Sequence, residues 1–259
     1  MSAFSDRYLP GGRLAFTKTN IVLSVIGILI FACGPHPSFR IQGARTPQNI
    51  WEIFQSRYNN INSLALQGSF TIKGRETHEI SLQTFYSSPD SFAFLAEGTL
   101  GTDIARGAMT GDSGFWEIPH EKYYEPIQNG DTIVLDEYGT AIDISELIRS
   151  IFFFKDLSGY HFESASGAKY LYKKSEGSLI IELYVNKDTA TPVSQTAIGL
   201  HGETRADYYD WKFMGEALIM PGSIKIDFPE SKFRGEYKIR KAKKNPLIPS
   251  KFYLPMYKF

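Results

Sequence analysis

Leu64 to Ile72 reads LALQGSFTI, and the fold turns on its period. Leu64, Leu66, Gly68, Phe70 and Ile72 fall on one side and mostly small or polar residues on the other. Alternation at period 2 marks a strand with one face buried. The same beat continues downstream. EISLQTFY puts Ile80, Leu82, Thr84 and Tyr86 on one side, and SFAFLA does so with Phe92, Phe94 and Ala96. Turn chemistry parts these runs: KGRET, SSPD and EGTLGTD.

Further runs follow in the same style. TDIARGAMT and GFWEI are joined by GDSG, and KYYEPI and DTIVLD flank QNGD, a hairpin signal. After one interruption come YHFES, AKYLYKK, SLIIELYV, VSQTAIGL, ADYYDWKFM, GSIKIDF and FRGEYKIRKA. Strands joined by such short turns must run antiparallel. The tail NPLIPSKFYLPMYKF carries three prolines, which suits an extended segment packed at an edge.

Two stretches keep a helical period instead. Thr46 is placed to cap a helix with Pro47 at its first position and Ile50, Trp51, Phe54 and Tyr58 on one stripe. DISELIRSIFFF spaces Ile144, Leu147, Ile148 and Ile151 likewise, and ends in Phe152–Phe154. The expected architecture is mainly β (α+β). It is a curled antiparallel half-barrel of about eleven strands, with two or three helices over the concave face. On this reading Leu66, Phe70, Phe92, Phe94 and Trp116 face Ile50, Phe54, Ile148 and Ile151 of the helices across an apolar hollow able to take a ligand.

The N-terminal end has another character. Ile21 to Ala32, IVLSVIGILIFA, is an uncharged apolar run behind a basic segment. A helix of that length is about 18 Å long, too short for a bilayer core of about 30 Å. A secretory signal over residues 1–32 fits. Ile30-Phe31-Ala32-Cys33 resembles the bacterial lipobox, although Phe31 stands where small or polar residues are usual. That resemblance implies cleavage before Cys33, a diacylglycerol on its sulfur and an N-acyl chain. The plainer alternative is an uncleaved anchor with an incidental cysteine. Residues 33–45, rich in Pro, Gly and Arg, read as a flexible tether to a domain spanning 46–259.

Composition and motifs exclude several chemistries. Acids outnumber bases by two beyond residue 32, so no basic footprint for nucleic acid exists. The five histidines, His36, His78, His120, His161 and His201, are scattered. HEKYY at His120 opens like a zinc-protease helix, yet Tyr124 replaces the second His and the segment reads as strand. Neither a phosphate loop nor a nucleophile elbow is present. No enzyme, no metal and no cofactor are expected, the acyl groups on Cys33 aside. The basic run KIRKAKK, Lys238 to Lys244, is either a solvated strand end or a contact for anionic lipid headgroups.

From Leu64 to Phe154 the order of helix, strands, TLGTDIARGAMTGDSGFWEI and second helix resembles the outer-membrane lipoprotein-sorting superfamily of LolA and LolB. The C-terminal third, with MPGSIKIDFPES, departs from it. The resemblance implies an eleven-stranded half-barrel with a helical lid and a cavity for acyl chains. A monomer anchored on the periplasmic side is expected, with membrane lipids, acylated proteins or a periplasmic carrier as partners; Gly34 rather than Asp after Cys33 favours the outer membrane of a Gram-negative bacterium without fixing it. The resemblance also implies that Leu100, between Gly98 and Gly101, protrudes to insert into the membrane. Two readings stay open: a lipid-anchored protein that binds or transfers acyl chains, and a structural or assembly lipoprotein whose hollow is filled.

Overall fold

Thr46 caps the first helix, its hydroxyl accepting from the Asn49 amide at 3.3 Å, and Pro47 opens the first turn. This helix, α1 (Pro47–Tyr58), buries the expected stripe of Ile50, Trp51, Phe54 and Tyr58. The computed structural model describes residues 39–256 apart from 74–76, 99–100, 129–130, 136–139, 201 and 216–217.

The chain then runs β1 (Ser63–Lys73), β2 (Thr77–Ser87), β3 (Ser91–Glu97), β4 (Asp103–Thr110), β5 (Ser113–Ile118) and β6 (Tyr123–Gln128) as a meander. A small hairpin, β7 (Thr132–Leu135) with β8 (Thr140–Asp143), leads into α2 (Ile144–Ile151). A second meander follows: β9 (His161–Ser166), β10 (Lys169–Glu176), β11 (Leu179–Asn186), β12 (Pro192–Gly199) and β13 (Gly202–Tyr209). A second small hairpin, β14 (Lys212–Met214) with β15 (Leu218–Met220), precedes β16 (Ser223–Phe228) and β17 (Phe233–Lys244).

Thirteen of these strands form one curled, unclosed antiparallel sheet in the order β6-β5-β4-β3-β2-β1-β17-β16-β13-β12-β11-β10-β9. The first and last strands, β1 and β17, join the two meanders at its centre. That makes thirteen strands where about eleven are expected, with two α-helices among the described residues. Every run named from the sequence contributes a strand to this sheet except DTIVLD, which pairs separately as β7.

Gly68 shapes the central join. A Cβ there would lie 1.9 Å from the Lys238 carbonyl oxygen, so only glycine lets β1 and β17 approach. The register shifts between Gln67 and Gly68, leaving Arg240 as the extra residue of a bulge on β17.

Both helices lie on one face, here called inner, and share a single apolar cluster with it. Four expectations are corrected. The second helix stops at Ile151, and Phe152–Phe154 leave it while remaining buried. ADYYDWKFM is not one strand, because Asp210 at φ +55° turns the chain between β13 and β14. His120 sits in a 3-10 turn, Pro119–Glu121, rather than a strand, since Pro119 cannot donate to a ladder.

The fourth concerns the tail, which packs over the outer face rather than at an edge. Phe252 stacks on Phe85 at 4.4 Å between centroids, and Ile248 and Tyr253 join Phe85, Ala93, Ala108 and Phe115 in a separate cluster. Arg106 on β4 donates to the Lys251 carbonyl at 3.1 Å and pairs with the fully buried Glu117 at 3.3 Å. Upstream, the Ile41 amide bonds to the Asp188 carbonyl at 2.8 Å, so the chain preceding α1 is tied down from there.

Candidate functional site

The registers place Leu66, Thr84, Phe94, Gly107 and Trp116 in one row across β1 to β5 on the inner face. The neighbouring row is Leu64, Tyr86, Phe92, Met109 and Gly114. Phe94 lies flat over Gly107, where a Cβ would come within 2.5 Å of its ring. From there it reaches Trp116 at 5.4 Å and Phe92 at 6.1 Å between centroids. Glycine opposite the aromatic is what lets the ring settle on the sheet.

All nine residues expected to line the hollow meet in one cluster. Their surroundings differ from the expectation. Ile50 and Phe54 are fully buried, Leu66 and Ile151 are 1% exposed, and Phe70, Phe92 and Ile148 are also buried. Side chains so enclosed leave no room for water beside them. Only Phe94 and Trp116 remain partly open, together with Ile72 and Ile80 on the same face. Cys33 and Leu100 lie outside the described residues.

What fills the rest is the segment after α2. Phe152 packs on Tyr86 and Phe92 at 5.5 and 5.7 Å, and Phe153 packs on Phe54, Tyr58 and Tyr208 at 6.2, 5.2 and 5.1 Å. The sequence shows this triplet as apolar, but continuing the helix through it hides its role as a plug. Three tyrosine hydroxyls reach backbone carbonyls in the interior. Tyr58 donates to the Ile219 carbonyl at 3.0 Å, Tyr208 to Ser150 at 3.0 Å and Tyr237 to Leu82 at 3.1 Å. Burial pushes all three hydroxyls above the ordinary tyrosine range, so they stay protonated donors.

A buried charge lies at the far end of the inner face. Lys174 on β10, only 6% exposed at its side chain, pairs with both Asp156 and Glu176 and lies 5.7 Å from the Tyr160 ring centroid. Partial burial alone would raise the Asp156 carboxyl, but hydrogen bonds from Lys174 and Ser158 outweigh it and hold its pKa to about 2. The pair ties the segment after the phenylalanine plug to the sheet. Among the described residues no group of three or more His, Cys, Asp or Glu is arranged to hold a metal, and no helix is long and apolar enough to cross a membrane.

The partly open stretch over β2 to β5 is thus an aromatic strip on an open curled sheet, with Glu125 of β6 opposite Trp116 on the same face. The same architecture recurs in solved structures. The fold is LolA-like. A DUF1329 family protein from Desulfovibrio piger superposes with a TM-score of 0.59 at 8% identity, covering 80% of this chain and 96% of its own. A LolA superfamily protein from Nitrosomonas europaea gives 0.54 at 14% identity, covering 82% and 99%. A domain from Vibrio parahaemolyticus assigned to outer-membrane lipoprotein sorting gives 0.55 at 8% identity, covering 79% and 94%. No protein-family model matches the sequence, and no curated protein matches it. The LolA-like fold accounts for the open sheet and the two helices on its inner face. It assigns no ligand.

Proposed function

We propose that this chain is an anchored protein of the Gram-negative cell envelope, on the periplasmic side of the outer membrane, that binds an acyl chain of a lipid or an acylated protein. The observation that carries this reading is the strip of Phe94 and Trp116, with Ile80 farther along β2, which leaves large apolar groups partly open on the inner face. Such a strip offers contact to a hydrocarbon chain, with the exposed Glu125 carboxylate beside its Trp116 end. Transfer of cargo to the membrane and receipt of it from a periplasmic carrier extend the same proposal. Cys33 supplies the anchor through its diacylglycerol and N-acyl groups. Leu100 supplies an apolar tip in the loop between β3 and β4. A Cys33→Ser chain that still partitions wholly into detergent would remove the anchor. Unchanged delivery of lipid to vesicles by Leu100→Glu would remove the tip.

The test of binding is native mass spectrometry of the full chain released from a neutral detergent. Bound acyl lipid should survive as a discrete added mass, and a bare protein mass at every collision energy would refute it. A second reading has its own observation. The plug Phe152–Phe154 already occupies the inner face beneath α1, as a structural envelope lipoprotein with a filled core would have it. A bare mass would favour that reading.

A further inference from the structure

The β16 ladder on β17 ends at Ser223 opposite Lys238, while β1 continues to pair with β17 as far as Lys244. Below that point β17 has a strand neighbour on one side only, and the β14–β15 hairpin stands beside it. A groove of about 710 Å³ opens there.

Four cations line it: Lys212 from the hairpin, and Arg240, Lys241 and Lys243 from β17. No carboxylate does. Among the described residues Lys212, Lys241 and Lys243 form no ion pair, and Arg240 reaches only Glu79, at 4.0 Å with both side chains exposed. Like charges gathered without counter-charge repel one another, and an anion placed among them relieves that repulsion. Phe213, 39% exposed, gives the groove an open apolar wall, while Leu66, Met214 and Phe85 lie buried behind it. Its volume suits a small-molecule fragment.

We propose that this groove between the β14–β15 hairpin and the free edge of β17 holds the phosphate-bearing headgroup of an anionic phospholipid. The cations take the phosphate, and the apolar lining takes the glycerol and first methylenes. A short acidic peptide would satisfy the cations but leave the half-open Phe213 ring wet, so lipid is the better match. The bulge at Arg240 turns one extra base toward the groove without breaking the β1 ladder. The inference does not rest on acyl binding at the inner face; the two sites stand or fall separately.

The test uses the full chain in neutral maltoside detergent. A phosphatidylglycerol carrying a diazirine near its headgroup is photolysed with it, and labelled peptides are mapped by mass spectrometry. A matched phosphatidylcholine probe runs in parallel. Labelling is expected on peptides holding residues 212–220 and 238–245, and at least about tenfold weaker with phosphatidylcholine. Each surface cation contributes about fivefold. Lys241→Gln with Lys243→Gln should therefore cut labelling about 25-fold without moving the melting temperature.

Equal labelling by the two probes, or labelling indifferent to the double variant, overturns the proposal. Competition by glycerophosphate or inorganic phosphate as strong as that by dihexanoylphosphatidylglycerol makes it a phosphate site and overturns the lipid. Equally strong competition by an oligoglutamate peptide overturns it in favour of a peptide. Labels confined to β2–β5 overturn this site and leave acyl binding at the inner face intact.

Discussion

Replacing Phe153 by alanine removes the centre of the plug. Its ring is 2% exposed and lies within 5.1–6.2 Å, centroid to centroid, of Phe54, Tyr58, Phe154, Tyr208 and Trp211. Apart from the adjacent Phe154, these neighbours come from α1, β13 and the loop after it, so no single element can collapse into the space. A buried Phe→Ala change costs about 3–5 kcal/mol, the larger figures applying where the site stays open. For a domain of this size each kcal/mol moves the melting temperature by about 2–4 °C. The expected loss is therefore about 6–20 °C, read by circular dichroism or calorimetry. Phe153→Leu keeps most of the apolar volume and should lose far less. A shift below about 2 °C for the alanine variant would show that Phe153 does not close the core, and the account of a filled inner face would fail with it.

Two further outcomes follow from ion pairs. Arg106→Leu strands the fully buried Glu117 and frees the tail, so it should cost about 3 kcal/mol and speed amide exchange over 250–254, with Glu117→Gln restoring part of the loss. Unchanged exchange there would mean that Arg106 does not hold the tail. Asp156 has a folded pKa of about 2, below its unfolded value near 4, so its contribution is complete above about pH 4 and fades as pH falls toward 2. Its side chain is 54% exposed, which discounts the effect to roughly 1 kcal/mol. The stability gap between the parent chain and Asp156→Asn should therefore close between pH 5 and 2, and a gap independent of pH would deny the pairing with Lys174.

The strands of the first meander were legible because Leu64, Leu66, Phe70, Leu82 and Phe92 keep a strict period and face one apolar layer. The first helix was legible from Thr46, Pro47 and its stripe. The pairing of β1 with β17 was not, since it joins segments some 170 residues apart and no local signal encodes it. The tail was misread although a signal existed. Phe85–Tyr86, Phe92–Ala93 and Phe115–Trp116 are adjacent apolar pairs, and neighbours on a strand point to opposite faces. The outer face therefore also needed a cover, which Ile248, Phe252 and Tyr253 provide. The nine residues assigned to the hollow share one cluster, but the sequence could not show that Phe152–Phe154 packs among them. The basic groove depends on where one ladder ends, a property of register that composition does not carry.

The central claim is that a hydrocarbon chain lies against the open strip beside Trp116. Brominated acyl chains quench only tryptophans they touch. The chain has three tryptophans, of which Trp51 is 8% exposed within the core. Titrating the full chain in neutral detergent with a brominated stearoyl lipid should give saturable quenching that Trp116→Phe abolishes. Quenching that persists undiminished in Trp116→Phe, or none at saturating lipid, would contradict the claim.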